Sequence, residues 1–337
     1  MRVLVAMSGG VDSSVAAARL LGDHEVVGAT MKLWGGESDS GCCSVADVED
    51  ARRVAQQLGI AHHVFNFTAE FDAAVVAPYA ADHARGRTPN PCVECNRHLK
   101  FDRFLARAAA LGFDAVATGH HARVTRRGDH HALVRGVDAA KDQSYVLSML
   151  GQRQLARLLL PVGEMTKADV RAEAARLGLR TAAKPDSQDV CFIRRGGRRA
   201  FLADRIPLHP GRLVDASGAT VGEVEAVELV TVGQRRGLAG GAAGRRYAVD
   251  VDIGARTVVV GGEADLDVAR VDLDAVTWTS VPLPDGSPVE VQTSAHGRPV
   301  PGVWASGALL GGFRRVAPGQ TVALYRGDEV AGAGLAR

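Results

Sequence analysis

Short apolar runs alternate with amphipathic stretches through the first 206 residues of the chain. Apolar runs of about five residues, rich in β-branched side chains, are typical of buried strands, and apolar positions spaced three and four apart are typical of helices. The pattern predicts strands at 3–7, 25–31, 62–67 and 113–118, and helices at 11–21, 44–58, 99–111 and 166–177. Strands that alternate with helices predict a parallel sheet covered on both faces, which is an α/β fold.

The pattern changes near residue 207, where helical spacing ends. From there, short valine-rich runs are separated by glycine, proline and Asp-Gly pairs, which favours an all-β structure, built as barrels. The runs are 229–232, 247–253, 257–260, 289–292 and 321–325. A further break at 261–265 divides this half, so we expect domains at 1–206, 207–262 and 263–337.

Composition and charge limit the possible classes of protein but do not identify its function. The chain has 337 residues, enough for two or three domains, and a formal net charge of +2, which neither requires nor excludes a nucleic-acid partner. No apolar run approaches the roughly 20 residues of a membrane helix, and the start of the chain does not resemble a signal peptide. We therefore expect a cytoplasmic protein with no membrane partner.

The cysteine count bears on chemistry. An odd number of cysteines in a reducing compartment argues against a structural disulfide framework and favours metal, redox or catalytic use. The five are Cys42, Cys43, Cys92, Cys95 and Cys191. Cys42 and Cys43 directly precede a capped helix, and we interpret them as part of a loop packed near the glycine-rich turn that follows the first strand.

Residues 8–14, Ser-Gly-Gly-Val-Asp-Ser-Ser, lie between the first strand and the first helix. Glycines let the backbone approach a phosphate closely, and N–H groups at a helix N-terminus donate to it. The GxxxxGK[ST] pattern of a Walker A loop is absent. The plain alternative is a strand-to-helix turn that only needs glycine.

The loop resembles that of the pyrophosphatase-loop ATPases, which cleave ATP to AMP and pyrophosphate and have an adenine nucleotide α-hydrolase-like fold. This resemblance implies that Asp12 holds Mg²⁺ through ATP. It also implies a nucleotide pocket formed by Ala6, Met7, Ser8, Gly9, Gly10, Val11, Asp12, Ser13, Met31 and Gly119. Met31 and Gly119 end strands at the edge where such sheets bind ligands, although Met31 taken alone is a core residue.

The stretch 86–96 combines two prolines, which stiffen a loop, with cysteines just before a helical pattern. Cys95 therefore lies near a helix N-terminus, with Arg97 and Lys100 close in sequence, and both features favour the thiolate. At the ordinary pKa of ~8.5, about 3% of a thiol is ionised at pH 7. Lowering the pKa of Cys95 by roughly two units would make the thiolate its major form. A cysteine in an apolar run is usually a small buried hydrophobe, but the polar residues 186–189 that precede Cys191 favour a functional role.

Five motifs resemble, in order, the signatures of the tRNA 2-thiouridylase family and cover nearly the whole chain. They are residues 86–96, 117–123, 141–145, 184–193 and 231–238. The resemblance implies that Cys95 and Cys191 are catalytic. It also implies contacts with the flipped base or the tRNA from Asn90, Pro91, Cys92, Lys141, Asp142 and Gln143. The last domain is then a β-barrel that contacts tRNA.

The implied reaction explains why a thiolation enzyme carries an AMP-forming loop. The C2 oxygen of the wobble uridine is a poor leaving group until AMP is attached to it. A cysteine desulfurase or sulfur-relay protein loads a persulfide on Cys191, and Cys95 later forms a transient disulfide with it. By resemblance the substrates are tRNAs for lysine, glutamate and glutamine. Basic residues that would hold RNA are Arg194, Arg195, Arg198, Arg199, Arg235, Arg236, Arg245 and Arg246.

Cys92 departs from the family pattern, because some members carry aspartate there. Cys92, Cys95 and Cys191 together leave a second hypothesis open, a [4Fe–4S] cluster with one open iron. A third hypothesis is an AMP-forming ligase for a small molecule, and a fourth is a non-catalytic RNA-binding protein that kept the fold. The intact loop at Ser8, Gly9 and Asp12 argues against the non-catalytic binder.

Overall fold

The computed structural model describes residues 1–34, 44–186, 190–193, 197–238 and 245–337. Its first sheet is parallel throughout. From one edge to the other, the strands are His62–Asn66, Glu25–Lys32, Arg2–Ala6, Ala115–Ala117 and Leu158–Leu159. This sheet confirms the α/β part of the predicted fold class.

Both faces of the parallel sheet are covered. Val3 and Val5 of the central strand belong to one core, which includes the helices Val11–Leu20 and Lys167–Arg176. Leu4 and Ala6 point to the opposite core, because successive residues of a strand alternate between faces. Two long helical segments cover the second core, and one of them carries Cys92 and Cys95.

Two helices begin at the caps that the sequence predicts. Ser44 accepts from Asp47 N at 3.1 Å before the helix Val45–Gln57, and Thr166 accepts from Asp169 N at 3.2 Å before Lys167–Arg176. In both cases the aspartate carboxylate also accepts a hydrogen bond from the backbone N–H of the cap residue, which completes a capping box. These caps fix where the chain turns toward the phosphate loop.

Two further segments cover the other face, and the periodicity only partly predicted them. The floor helix runs without a break through Thr68–Phe71, a π-helical stretch Asp72–Val76 and Ala77–His83. The cysteine helix likewise comprises Pro91–Glu94, the π-helical Cys95–Arg103 and Phe104–Ala110. The predicted start at residue 99 was therefore eight positions late (99 − 91), because Asn90 and Pro91 form a cap that lies before the apolar spacing.

The second half is β-structure, as predicted. A small central sheet has the strand order Tyr247–Asp252, Thr257–Gly261, Gly211–Val214 and Thr220–Val224. The strand predicted at 229–232 is wrong, since the chain forms a 3₁₀ turn at Val227–Leu229 that buries the apolar side chains without pairing. The short remaining helices are Tyr145–Leu147, Gln152–Leu155, Arg198–Ala203 and Ala264–Leu266.

The last sheet closes into an antiparallel barrel, because its final strand pairs back with its first. Around the barrel the strands are Asp267–Trp278, Ala308–Arg314, Val300–Ala305, Pro288–Gln292, Thr321–Arg326 and Glu329–Ala336. This closure confirms the predicted C-terminal barrel.

A hairpin from the first half extends the barrel sheet. Its strands are Ala122–Arg127 and His130–Arg135, and Val134 pairs with Glu329. The hydrophobic pattern did not predict this hairpin, whose strands are only half covered. In the described stretches, no helix is both long enough and apolar enough to cross a membrane.

Candidate active site

The phosphate loop, residues 8–14, connects the central strand to the helix Val11–Leu20 at the carboxyl edge of the parallel sheet. Gly9 has φ +73°, and a Cβ there would lie 2.3 Å from the carbonyl oxygen of Asp47, so only glycine fits. Gly10 caps the helix, and in the described chain no side chain bonds to the first-turn N–H groups. Those donors are therefore directed at the space above the sheet, as an anion site requires.

Serine hydroxyls stiffen the loop. Ser13 Oγ accepts from Ser8 N at 3.2 Å and donates to the carbonyl of Gly10 at 3.1 Å. Ser14 Oγ also donates to Gly10 O, at 2.8 Å. The loop therefore keeps its shape through its own hydrogen bonds.

Gly119 lies directly against the phosphate loop. A Cβ on Gly119 would lie 2.5 Å from Ser13 N and 2.6 Å from the carbonyl carbon of Asp12. The two motifs are thus in van der Waals contact, although their predicted contact with a nucleotide stays a prediction. Met31 is buried in the second core beside the same edge of the sheet.

Asp12 carries the charge at the start of the helix. Lys167 Nζ donates to its two carboxylate oxygens at 2.8 and 2.7 Å, and His121 Nε2 lies 3.1 Å from Oδ1. Burial raises the pKa of Asp12, but the bonds from His121 and Lys167 outweigh it and hold the pKa below its ordinary value. A magnesium ion at Asp12 fits this carboxylate only if Lys167 moves off it.

Asp186 is the second carboxylate that binds Lys167, at 2.9 Å. It also accepts from Lys141 at 2.8 Å and from Arg171 at 2.7 Å. Burial raises the pKa of Asp186, but its bonds with Lys141 and Lys167 hold the pKa far below the usual range. The predicted tRNA residue Lys141 is thereby linked through Asp186 and Lys167 to Asp12.

Lys184 attaches the same stretch of chain to the phosphate loop. Its amine donates to the carbonyl of Gly9 at 3.0 Å, to Asp47 at 2.7 Å and to Asp50 at 2.8 Å. Cys191 lies five residues beyond Asp186 (191 − 186), which allows a separation of at most roughly 18 Å even for extended chain. Lys184 and Asp186, which precede Cys191 by seven and five residues, therefore lie beside the phosphate loop and Lys167.

Asp142 and Gln143 have internal hydrogen-bond partners. Asp142 accepts from Gly136 N at 2.9 Å and from Arg135 at 3.0 Å. Gln143 bonds twice to the backbone of His121, at 2.9 Å through its side chain and at 2.8 Å through its N–H. These contacts hold the turn that presents His121 to Asp12. The predicted tRNA contacts of Asp142 and Gln143 stay predictions.

Cys92 and Cys95 lie one turn apart on the cysteine helix, both as thiols, with Cys92 exposed and Cys95 buried. Asn90 accepts from Cys92 N at 3.1 Å and from Val93 N at 3.3 Å. The Asn90 side chain is thus the N-cap, which leaves Pro91 at the first helical position. The three residues predicted to contact the base form one rigid helix start.

Cys95 and Cys191 border the same hydrophobic core. Cys95 lies inside the second core, and Cys191 packs against it half-exposed. The Cys191 segment, residues 190–193, is fixed there by Phe192, which is 4% exposed. Both cysteines predicted to be catalytic therefore contact this core, although 96 positions separate them (191 − 95), and their approach to each other stays a prediction.

The iron–sulfur hypothesis requires Cys92, Cys95 and Cys191 to converge. Among the residues that the structure describes, no group of three or more histidine, cysteine or acidic side chains is arranged to hold a metal ion. The three cysteines as placed therefore do not fit a cluster. Cys42, Cys43, Arg194 and Arg195 lie outside the described residues.

The remaining predicted basic residues differ in exposure. Arg235, Arg236 and Arg245 are exposed on the central domain. Arg198 instead approaches His83 Nδ1 at 3.4 Å, and Arg199 pairs with Glu225. Arg198 therefore contributes to packing within the first part of the chain, whereas Arg199 pairs with a residue of the central part.

Sequence reasoning missed Lys167, Lys184 and His121. Lys167 lies 155 positions from Asp12, and only its place at the start of a capped helix marks it in the sequence. Lys184 lies within a recognised motif, but its partners Gly9 and Asp47 are remote. Both lysines bring positive charge to a loop that has no lysine of its own.

A glycine-rich loop at the carboxyl edge of a parallel sheet, with remote lysines in place of a Walker lysine, defines an ATP-binding protein of the pyrophosphatase-loop class. Residues 1–195 match the family described as "tRNA methyl transferase HUP domain", and residues 199–262 match "tRNA methyl transferase PRC-barrel domain". The chain is 47% identical to "tRNA-specific 2-thiouridylase MnmA" of Mycobacteroides abscessus, over 99% of each chain. It is 48% identical to the protein of that name from Mycolicibacterium smegmatis, over 98% of each. The chain belongs to the tRNA-specific 2-thiouridylase family.

The solved structures that it resembles are more distant. A predicted subunit of tRNA methyltransferase from Methanocaldococcus jannaschii shares 21% identity at a TM-score of 0.31, over 52% of this chain and 74% of that one. The NH3-dependent NAD synthetase of Campylobacter jejuni shares 17% at 0.32, over 56% and 69%. Neither likeness is high enough to support an argument. The domain descriptions name a methyl transferase, whereas the relatives that match over nearly the whole chain are named thiouridylases.

Proposed function

We propose that this chain is a tRNA 2-thiouridylase, which activates the C2 oxygen of the wobble uridine with ATP and replaces it with sulfur. One observation carries the proposal. Cys95 and the Cys191 segment border one core. Lys184 bonds to the phosphate loop directly and Asp186 is joined to it through Lys167, seven and five residues before Cys191 (191 − 184, 191 − 186). Activation and sulfur transfer therefore have a common location.

The phosphate loop and its lysines serve the activation step. Backbone donors of residues 8–14 bind the phosphates of ATP, and Lys167 and Lys184 neutralise charge on the departing pyrophosphate. Mg²⁺, when bound through Asp12, would screen the same charge. The C2 oxygen attacks the α-phosphorus, pyrophosphate leaves, and the uridine oxygen becomes part of an AMP leaving group.

The cysteines serve the sulfur step. A cysteine desulfurase or sulfur-relay protein transfers a sulfur atom to Cys191, and the persulfide attacks C2 as AMP departs. The Cys95 thiolate then attacks Cys191 Sγ, so the bond to the transferred sulfur breaks and a Cys95–Cys191 disulfide forms. A thiol reductant returns both residues to thiols.

The RNA is held at the start of the cysteine helix. Asn90, Pro91 and Cys92 receive the base once it leaves its stack, at a cost lowered in an anticodon loop. Lys141, Asp142 and Gln143 contact the tRNA, as does the barrel at 263–337. Residues 1–206 carry catalysis, and residues 207–262 form a small central β domain. The substrates are tRNAs for lysine, glutamate and glutamine, and the enzyme works in the cytosol.

The test incubates the full chain with ATP, Mg²⁺, a persulfide donor and unmodified tRNA, then digests the RNA to nucleosides for mass spectrometry. We expect 2-thiouridine with wild-type protein and none with Cys95→Ser or Cys191→Ser. Wild-type protein that consumes ATP without forming 2-thiouridine would refute the proposal, and ATP-dependent amidation of a small molecule would favour the ligase.

The same assay distinguishes the [4Fe–4S] alternative from the persulfide route. Protein purified without oxygen is analysed for iron and for visible absorption, with Cys92→Ser as the comparison. Iron-free protein that thiolates tRNA supports the persulfide route. If activity requires iron and is lost in Cys92→Ser, the persulfide route is wrong and the cluster hypothesis is favoured.

A further inference from the structure

Phe192 follows Cys191 directly, and its ring is enclosed by other aromatic rings. We name these rings the aromatic socket. Centroid distances from Phe192 are 5.1 Å to Phe201, 5.6 Å to Phe71, 5.6 Å to Tyr79 and 6.1 Å to Trp34. The contacts with Phe71 and Tyr79 are edge-to-face, a favoured geometry for aromatic pairs.

Within the Cys191 segment, burial is concentrated at this ring. Phe192 is 4% exposed, whereas Val190, Cys191 and Ile193 are only partly buried. Aromatic rings have two side-chain torsions and pack in few orientations, so an enclosed ring fixes the backbone that carries it. Adjacent Cα atoms are about 3.8 Å apart, which leaves Cys191 little freedom once Phe192 is seated.

The socket is also connected to Cys95. Phe71 and Tyr79 both belong to the floor helix, and the floor helix packs against the cysteine helix near Cys95. One helical segment therefore contacts Phe192 and the element that carries Cys95. Phe201 and Trp34 complete the socket from Arg198–Ala203 and from the end of the second strand.

We propose that Phe192, seated in the aromatic socket, is a positioning residue that sets the distance between the sulfur atoms of Cys191 and Cys95. This inference rests on the proposed sulfur transfer. In that step the Cys95 thiolate bonds to Cys191 Sγ while the persulfide S–S bond breaks, and the sulfur leaves with the electron pair. A disulfide tolerates Cα separations of only about 4.4 to 6.8 Å, so a small displacement of Cys191 blocks the step.

The experiment compares wild-type protein with Phe192→Leu. Each is equilibrated in glutathione redox buffers, and the Cys95–Cys191 linked peptide is quantified by mass spectrometry, which gives the effective concentration of one thiol at the other. We expect that value to fall at least about tenfold in Phe192→Leu, and single-turnover thiolation to fall about 10²-fold. Exchange of ATP with pyrophosphate in the presence of tRNA should stay within about twofold.

Phe313→Leu is the matched control. Phe313 is 4% exposed, as Phe192 is, but it lies in the core of the barrel and on neither of the elements that carry Cys95 and Cys191. It should lose thermal stability as Phe192→Leu does, yet keep the wild-type effective concentration. If Phe192→Leu does not fold, Phe192→Met, which keeps the volume in a flexible side chain, is used and should also lower the effective concentration.

Two outcomes overturn the inference. One is a folded Phe192→Leu or Phe192→Met with the wild-type effective concentration. The other is an equal loss in Phe313→Leu. Either leaves the proposed function intact if wild-type protein makes 2-thiouridine, whereas a wild-type protein that makes none refutes the function itself.

Discussion

Lys167 bonds to both carboxylate oxygens of Asp12, at 2.8 and 2.7 Å, and reaches Asp186 at 2.9 Å with the same amine. One lysine therefore joins the phosphate loop to the stretch that leads to Cys191. Because its side chain is 13% exposed, solvent screens this contact little. Its removal should affect both ATP chemistry and stability.

Lys167→Met should lower the rate of tRNA-dependent ATP–pyrophosphate exchange about 10²-fold, since the developing charge loses a cation. It should also lower the free energy of unfolding by about 2 kcal/mol, because two carboxylates lose their shared donor. Urea denaturation measures the second effect. Lys32→Met, at an exposed lysine on a neighbouring strand, is the control and should change neither quantity by much.

The stability loss of Lys167→Met should depend on pH. The folded pKa of Asp12 lies below the ordinary value of 3.8, so its contribution is present above pH 3.8 and is lost as pH falls through the folded pKa. The difference between wild type and Lys167→Met should therefore be constant near neutrality and shrink in acid. A difference that grows below pH 4 would contradict the assignment.

Gly119→Ala tests the contact between strand end and phosphate loop. A Cβ at Gly119 would overlap Ser13 N at 2.5 Å, so the loop must shift and the ATP site must distort. We expect ATP–pyrophosphate exchange to fall about 10²-fold while the chain stays folded by circular dichroism. Gly22→Ala is the matched control, because a Cβ at Gly22 meets no described atom within 4 Å. Equal activity of the two variants would show that the phosphate loop accommodates a Cβ at Gly119 without loss of function.

The sequence predicted the parts of the fold that depend on local interactions. The Ser44 and Thr166 caps use a partner three residues away, and the strand alternation needs only neighbouring positions. The hairpin Ala122–Arg127 and His130–Arg135 pairs its two strands locally, but they are largely polar and were missed. Its attachment to the barrel pairs Val134 with Glu329, almost 200 positions away. Pairing of that kind leaves no local periodic signal.

The residues of the candidate site also fall into those that local sequence predicted and those that depend on distant partners. The phosphate loop is contiguous and was predicted from its residues, whereas Cys191 was identified only by family resemblance. Lys167 lies 155 positions from Asp12, and Lys184 lies 175 from Gly9, so neither pairing could be derived from spacing. The aromatic socket around Phe192 likewise joins three distant stretches and is visible only after folding.

Tyr145 connects the first half of the chain to the barrel, and its loss should weaken that connection. Its hydroxyl donates to Thr321 O at 2.8 Å and lies 3.2 Å from Thr293 O. Tyr145→Phe should lower the free energy of unfolding by about 1–2 kcal/mol, because the carbonyl of Thr321 loses the hydroxyl donor. Tyr247→Phe, at a half-exposed tyrosine of the central sheet, is the control for urea denaturation.

Alkaline pH gives a second test of Tyr145. Burial raises its pKa to about 12, against 10 in the unfolded chain, so its contribution is present below pH 10 and is lost as pH rises toward 12. The shift corresponds to about 3 kcal/mol. Tyr145→Phe should become as stable as wild type, or more stable, near pH 12. A gap that stays constant from pH 8 to 12 would contradict this.

His83 should make the protein sensitive to mild acid. It is 2% exposed at the end of the floor helix, with Arg198 at 3.4 Å from Nδ1. Burial, and then the charge of Arg198, lower its pKa to about 4 from 6.5. The unfolded chain therefore takes up a proton as pH falls through 6.5, while the folded protein does so only near pH 4.

Between those values the free energy of unfolding should drop by about 3 kcal/mol on account of His83 alone. His83→Gln keeps hydrogen-bonding groups but does not titrate, so the variant should lose less stability than wild type between pH 6.5 and 4. His296→Gln, at an exposed histidine of the barrel, should keep the wild-type slope. Urea denaturation across this range measures the slopes. Parallel curves for wild type and His83→Gln would mean that His83 is already protonated, or is solvated, in the folded protein.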